Sequence, residues 1–273
     1  SRYKTGSHVD VRDMGLALGA AKSIALQGQS RLLLGAFVEL GTGRYDSYNH
    51  FADAGVVRGK GDSTHTGAGL MLHLAGLGQA GTASGKFAEL PGGYLSTVLR
   101  VGRSKNTFDS ADLTDADGVR GRYTSKATYY SAMLGGGYVW DLGNAQSLDM
   151  YGRYTWGHLG SDSVAIGNDR LEFASSQSAR LRVGARWSYA ATEKLRPYVG
   201  LGVEREFKGA ASGSSYGLAI EQPSLKGNTS IVELGLTLLP QVAQQGWEIN
   251  LGLQGYIGKR EGVSAAAKAK YVF

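Results

Sequence analysis

Residues 178–189 carry arginine at 180, 182 and 186, and Ala179, Leu181, Val183, Ala185, Trp187 and Tyr189 fall on the opposite parity. Successive side chains of a β-strand point to opposite faces, so this segment has one cationic face and one apolar face. An arginine turned toward hydrocarbon near a bilayer midplane costs roughly 2–4 kcal/mol, and a slip of one residue would exchange the faces along the whole strand. The register is therefore fixed by which face meets water.

The last dozen residues repeat the arrangement. Val263, Ala265, Ala267, Ala269, Tyr271 and Phe273 share one face, and Ser264, Lys268 and Lys270 the other. Similar alternation recurs along the chain, as in Leu32, Leu34, Ala36, Val38 and Leu40, in Val232, Leu234, Leu236 and Leu238, and in Trp247, Ile249, Leu251 and Leu253. About eleven such strands are clear, and an upward strand drawn from Ser1–Asp10 brings the count to about twelve, the even number of a single-chain outer-membrane barrel. Glycine supplies 42 of 273 residues and proline only 4, which suits a curved, twisted wall and excludes a proline-rich disordered chain.

A soluble sandwich also alternates, but its charged faces look outward and its apolar faces pack together. Connection lengths decide between the two. Polar segments near 43–63, 106–125, 159–177 and 208–228 read as long loops, and those near 25–30, 142–146, 190–194 and 240–246 as tight turns. Long loops on one rim and short turns on the other belong to barrels of bacterial outer membranes; the long 77–93 and the short 258–262 break the rule. The fold expected is all-β, a transmembrane antiparallel up-and-down β-barrel of about 12 strands forming one domain over 1–273. Parity places Glu39, Arg100, Asp149, Arg153, Arg180, Arg182, Arg186, Glu204, Glu206, Glu233, Glu248, Lys268 and Lys270 in the lumen. Tyr138, Trp140, Trp156, Trp187, Tyr189 and Trp247 form the aromatic girdle at the membrane interfaces.

The formal charge is +6 with a pI near 9.4. Lysines and arginines fall singly among acids, without the continuous basic stripe a nucleic acid needs, so nucleic acid is excluded as a partner and anionic lipid, lipopolysaccharide included, is favoured. Cysteine is absent, which removes disulfides, thiolate metal sites and cysteine nucleophiles. No run of 18 apolar residues forms a helical span, and no signal-peptide core follows Ser1.

Chemical motifs are weak. Gly213-Ser-Ser-Tyr-Gly217 has the spacing of a nucleophile elbow but lacks the strand, turn and helix that expose the serine, so it reads as a flexible loop. Gly76-Leu-Gly-Gln-Ala-Gly81 lacks the βαβ context of a dinucleotide site and reads as a glycine turn. His8, His50, His65, His73 and His158 show no metal-pair spacing. Asp46, Asp53, Asp62 and His50 could in principle assemble a rim protease site, but loop residues that are merely solvated are the more common case. No catalytic residue, metal or cofactor is expected.

Several stretches occur in a telling order: Thr5-Gly-Ser-His-Val-Asp-Val11, Leu34-Gly-Ala-Phe-Val-Glu39, Leu99-Arg-Val-Gly-Arg103, Leu148-Asp-Met-Tyr-Gly-Arg-Tyr154, Pro197-Tyr-Val-Gly200 with Glu204-Arg-Glu-Phe207, and Gly255-Tyr-Ile-Gly-Lys-Arg-Glu-Gly262. Together with the terminal Phe273 they make the chain resemble the C-terminal translocator domain of autotransporters, the type V secretion proteins of Gram-negative bacteria. The resemblance implies a 12-stranded outer-membrane barrel that exports and anchors an N-terminal passenger in cis, with passenger and linker helix outside this chain. It implies insertion by the barrel assembly machinery, with Ala267, Ala269, Tyr271 and Phe273 as the assembly signal. The rivals are a porin or small-solute channel and a rim-loop protease or esterase barrel.

Overall fold

The computed structural model describes residues 2–4, 8–28, 30–51, 55–78, 91–114, 118–166, 169–215, 218–220, 224–239 and 246–272. Phe273 and Asp53 lie outside them, as do the side chains of His50 and Ser215. Among the described residues the chain forms sixteen strands and no helix. They are β1 (Arg2–Lys4), β2 (His8–Ala25), β3 (Arg31–Phe51), β4 (Gly55–Leu77), β5 (Gly92–Thr114), β6 (Arg120–Gly143), β7 (Gln146–Leu159), β8 (Asp162–Ile166), β9 (Asp169–Phe173), β10 (Ser176–Tyr189), β11 (Leu195–Glu206), β12 (Gly213–Ser215), β13 (Leu218–Ile220), β14 (Gly227–Leu238), β15 (Gly246–Gly258) and β16 (Arg260–Val272).

Twelve of these close a barrel in the order β1-β16-β15-β14-β11-β10-β7-β6-β5-β4-β3-β2, and β13-β12-β9-β8 form a separate four-stranded sheet. All pairings are antiparallel. Closure rests on β1, whose Arg2 pairs with Asp10 of β2 on one side and Glu261 of β16 on the other. Arg2 donates to both oxygens of Asp10, at 2.7 and 2.9 Å, which clamps this joint at the rim of the long hairpins.

Apolar side chains cover the outside. Leu18, Leu70, Leu99, Leu134, Leu201, Leu234 and Leu253 are each at least half exposed, which in water would be an aggregation surface and in a bilayer is the surface presented to lipid. Five of the girdle aromatics gather toward the short-turn rim: Tyr138 packs on Trp140 at 4.7 Å, Trp187 stacks on Tyr189 at 6.3 Å, and Trp247 meets Tyr271 edge-on at 5.2 Å. Trp156 instead sits toward the opposite end of β7, stacked on His158.

The long connections differ from the expected loops. Within 43–63 and 106–125, β3 to β6 continue as paired strands over most of the described residues, with Arg44 opposite Asp62, Asp46 opposite Lys60 and Asp109 opposite Arg122. Strands of 21 to 24 residues in β3–β6 far exceed the 9–11 or so that span a bilayer. The cause is an inversion of the pattern. Above the membrane the outer face is bathed in water and carries the charges, and Tyr45, Val57, Phe108, Tyr123 and Ala127 turn inward, where Phe108 stacks on Tyr123 at 5.1 Å and Tyr123 meets Phe173 of β9 at 5.3 Å. Burial pushes the Tyr123 hydroxyl up to about 12 and the Tyr45 hydroxyl up as well. Segments 159–177 and 208–228 supply the four-stranded sheet, so Gly213–Ser215 is a strand paired to β9 and β13 rather than a flexible loop. Gly76 and Gly78 adopt positive φ, consistent with a glycine turn; the remainder of 77–93 lies outside the described residues up to Pro91.

Candidate functional site

The interior wall is built on one parity of each strand, and its polar side chains reach past neighbouring strands, which only a concave face allows. Glu233 of β14 is the hub, 2% exposed. It accepts from Tyr151 of β7 at 3.2 Å, from Gln254 of β15 at 3.0 Å and from Arg186 of β10 at 2.9 Å. Arg182 approaches it at 3.8 Å. A buried carboxylate needs such a set of donors to remain charged.

Glu204 and Glu206 of β11 stand directly across from Arg182 and Arg180 of β10. Arg182 donates twice to Glu204, at 3.0 and 2.8 Å. Glu206 accepts from Ser178 at 2.6 Å and from the backbone of Ala179 at 2.7 Å, with Arg180 at 3.5 Å. Arg153 of β7 lies opposite Arg182. With Arg100, Arg180, Arg182, Glu204 and Ser131 it lines a cavity of about 240 Å³ on the inner wall.

Farther round, Glu39 accepts from Tyr129 at 2.7 Å and faces Arg100 at 3.6 Å. Asp149, opposite Arg186, accepts from Tyr94 at 2.9 Å. Lys270 meets Glu248, its cross-strand neighbour, at 2.8 Å. Lys268 is exposed and has no ion pair among the described residues. The inner face of β2 carries Gly15, Ala17, Gly19, Ala21 and Ser23, all exposed, and above them the exposed Asp13 and the half-buried Val11 and Val9. Polar side chains are interlocked along β7, β10, β11 and β14, whereas β2 and β16 are joined only through the short β1 among the described residues and are largely exposed on both faces below it.

The partners that sequence reasoning overlooked are mostly tyrosines. Tyr94, Tyr129 and Tyr151 supply hydroxyls to three of the interior carboxylates, and Arg196 is 4% exposed on the same face of β11 as Glu204. Parity could have found them: Tyr151 shares its face with Asp149 and Arg153. Gly184 makes room for Tyr151, because a Cβ there would lie 2.7 Å from its hydroxyl and 2.9 Å from the Leu201 carbonyl.

Other expected groups fall elsewhere. Ala267, Ala269 and Tyr271 are exposed on the outer face of β16, opposite Leu251, Ile249 and Trp247. Asp46 and Asp62 are exposed strand residues, with Asp62 at 3.4 Å from Arg44. His73 hydrogen bonds Ser96 at 2.7 Å and packs by Tyr94. Among the described residues no cluster of acids and histidines has metal-binding geometry.

Solved structures share this architecture. The β-domain of the Bordetella autotransporter BrkA superimposes with a TM-score of 0.72 at 18% identity, covering 100% of this chain and 95% of that one. The transport unit of AIDA-I from Escherichia coli gives 0.74 at 13% identity over 100% and 87%. The translocator domain of NalP from Neisseria meningitidis gives 0.67 at 17% over 100% and 84%. No curated protein sequence matches. The family model for the autotransporter beta-domain matches residues 3–259, and the chain belongs to that family, whose members are outer-membrane translocators for passenger export.

Proposed function

We propose that the passenger moves along the open side of the interior, beside β2 and β16, while the charged network along β7, β10, β11 and β14 braces the wall. The observation that carries this reading is the lengthwise asymmetry: small side chains and the unpaired Lys268 on one side, and interlocked ions on the other. A stripe of Gly and Ala lets an extended chain approach the wall closely, and a lysine offers a solvated cation that an unfolded segment passes without a fixed partner. A wall filled by Glu233 and its donors speaks against a general diffusion pore, for which about sixteen strands are usual.

The β16 face bearing Ala267, Ala269 and Tyr271, together with the terminal residue Phe273, is the signal read by the barrel assembly machinery. Lipopolysaccharide surrounds the outer-leaflet half of the barrel. The domain is not an enzyme, and Asp46, Asp62 and Ser215 have no catalytic task.

The test uses the complete precursor, with whatever polypeptide precedes Ser1, in a Gram-negative host. Bulky replacements at Ala17 and Ala21 (Ala→Trp) should leave a folded, heat-modifiable barrel in the outer membrane yet halt the passenger short of the surface, as read by protease accessibility on intact cells. Surface delivery undiminished in a barrel shown to carry both tryptophans would refute the route.

A further inference from the structure

On the outer face of β5 and β6, immediately above the lipid-facing rows, three cations come together. Leu99 and Val101 on β5 and Leu134 and Tyr130 on β6 are the last outward apolar side chains, all about half exposed. Val101 pairs with Tyr130, and the next outward rows are Arg103 with Thr128 and Lys105 with Lys126. On β4, Thr66 and Thr64 flank Arg103 and Lys105. Arg103, Lys105 and Lys126 are exposed, and none makes an ion pair among the described residues.

Like charges directly opposite each other on neighbouring strands oppose the pairing, and this protein places Lys105 against Lys126 without an intervening acid. Asp162, whose carboxylate accepts from the backbone of Lys126 at 2.7 Å, offsets part of this charge, and Asp62 faces Arg44 at 3.4 Å, which leaves the three cations in excess. An anion from outside the chain would relieve the repulsion. Height selects which anion. Each residue advances about 3.3 Å along a strand and strands tilt by roughly 40°, so Arg103 lies about 5 Å and Lys105 about 10 Å above Val101 along the membrane normal. That interval is the headgroup layer, on the side of the long extracellular hairpins.

We infer that Arg103, Lys105 and Lys126, with the hydroxyls of Thr64, Thr66 and Thr128, form a docking site for the phosphate groups of an outer-leaflet glycolipid, with its acyl chains along Leu99, Val101 and Leu134. The site rests on the membrane placement of the barrel and goes beyond it by assigning residues to one lipid class. Lysine and arginine suit it because phosphate accepts several charge-assisted hydrogen bonds at once.

The full chain, folded in neutral detergent, is titrated with bis-phosphorylated lipid A and with fully dephosphorylated lipid A, and complexes are counted by native mass spectrometry. The phosphorylated form should bind about tenfold tighter, and Lys105→Gln/Lys126→Gln should abolish that preference while Lys105→Arg/Lys126→Arg keeps it. Equal affinity for the two lipids, or a preference untouched in the glutamine variant, overturns the site. If the glutamine variant fails to fold, the wild-type preference decides alone: it should shrink between about 50 and 500 mM salt, and persistence at high salt counts against the proposal. Displacement of the lipid by inorganic phosphate at equal concentration would show a free-anion site instead and overturn the lipid assignment. A chain that stays monodisperse without detergent removes the membrane placement itself, whereas an embedded chain with no phosphate preference removes only this site.

Discussion

Arg182 and Arg153 face each other across β10 and β7, and the carboxylate that offsets them, Glu204, comes from β11 on the far side of Arg182. The repulsion in one ladder is relieved by the next, so three strands are tied into one electrostatic unit. Breaking a buried pair by removing one partner usually costs about 3–5 kcal/mol. Glu204→Gln should therefore lower unfolding free energy by about 3 kcal/mol in urea titrations of the lipid-embedded barrel. Arg153→Gln, which removes the like charge, should be neutral or stabilising.

Gly184→Ala introduces a Cβ 2.7 Å from the Tyr151 hydroxyl and 2.9 Å from the Leu201 carbonyl. Overpacking of this kind costs about 1–3 kcal/mol, and displacing Tyr151 also removes a donor to Glu233. Tyr151→Phe alone should cost about 1 kcal/mol. The double variant should be less destabilised than the sum of the two single effects, because the lost hydrogen bond is counted in both.

Outside the membrane, Asp109 is held below the ordinary aspartate range by the hydrogen bond from Arg122, with Arg120 and Lys60 adding to it. A depressed folded pKa stabilises the native hairpin above the unfolded pKa, near 3.9, and this contribution fades as pH falls through the lower folded value. Amide protection factors in the upper β5–β6 hairpin, which correct for intrinsic exchange, should fall below about pH 4 in the wild type. Asp109→Asn should exchange faster at neutral pH and respond less to acid.

Spin labels distinguish the two environments of one strand. A label at Leu234, 53% exposed on the outer face of β14, should relax with oxygen, which concentrates in hydrocarbon. One at Lys268 should relax with a water-soluble paramagnet. Equal responses at both sites would contradict the assignment of faces.

Much of this was legible from parity. Arg182, Glu204 and Glu233 lie on the charged face that strand alternation alone defines, and Leu181 and Val183 lie on the apolar one. Alternation reports the solvent on each face, so it failed where the solvent changed. Above the membrane Tyr45, Phe108 and Tyr123 point inward, and a reading that took apolar as outward found loops in what are strands. Glu233 as a hub was not legible, because its donors Tyr151, Arg186 and Gln254 come from strands distant in sequence and meet only through barrel curvature.

The division of the interior into a braced half and a bare half has an electrical consequence. Along the braced half most cations have a carboxylate close by, Arg100 with Glu39, Arg182 with Glu204 and Arg186 with Glu233, and Arg153 has no ion pair of its own among the described residues, so the net field left there is small and positive. Along the bare half Lys268 has no ion pair among the described residues, and the inner face of β2 adds glycine and alanine with one exposed acid, Asp13, nearer the long hairpins. Current through the unoccupied domain in a planar bilayer should be carried by chloride in preference to potassium, and Lys268→Glu should reverse that preference in the reversal potential measured across a salt gradient.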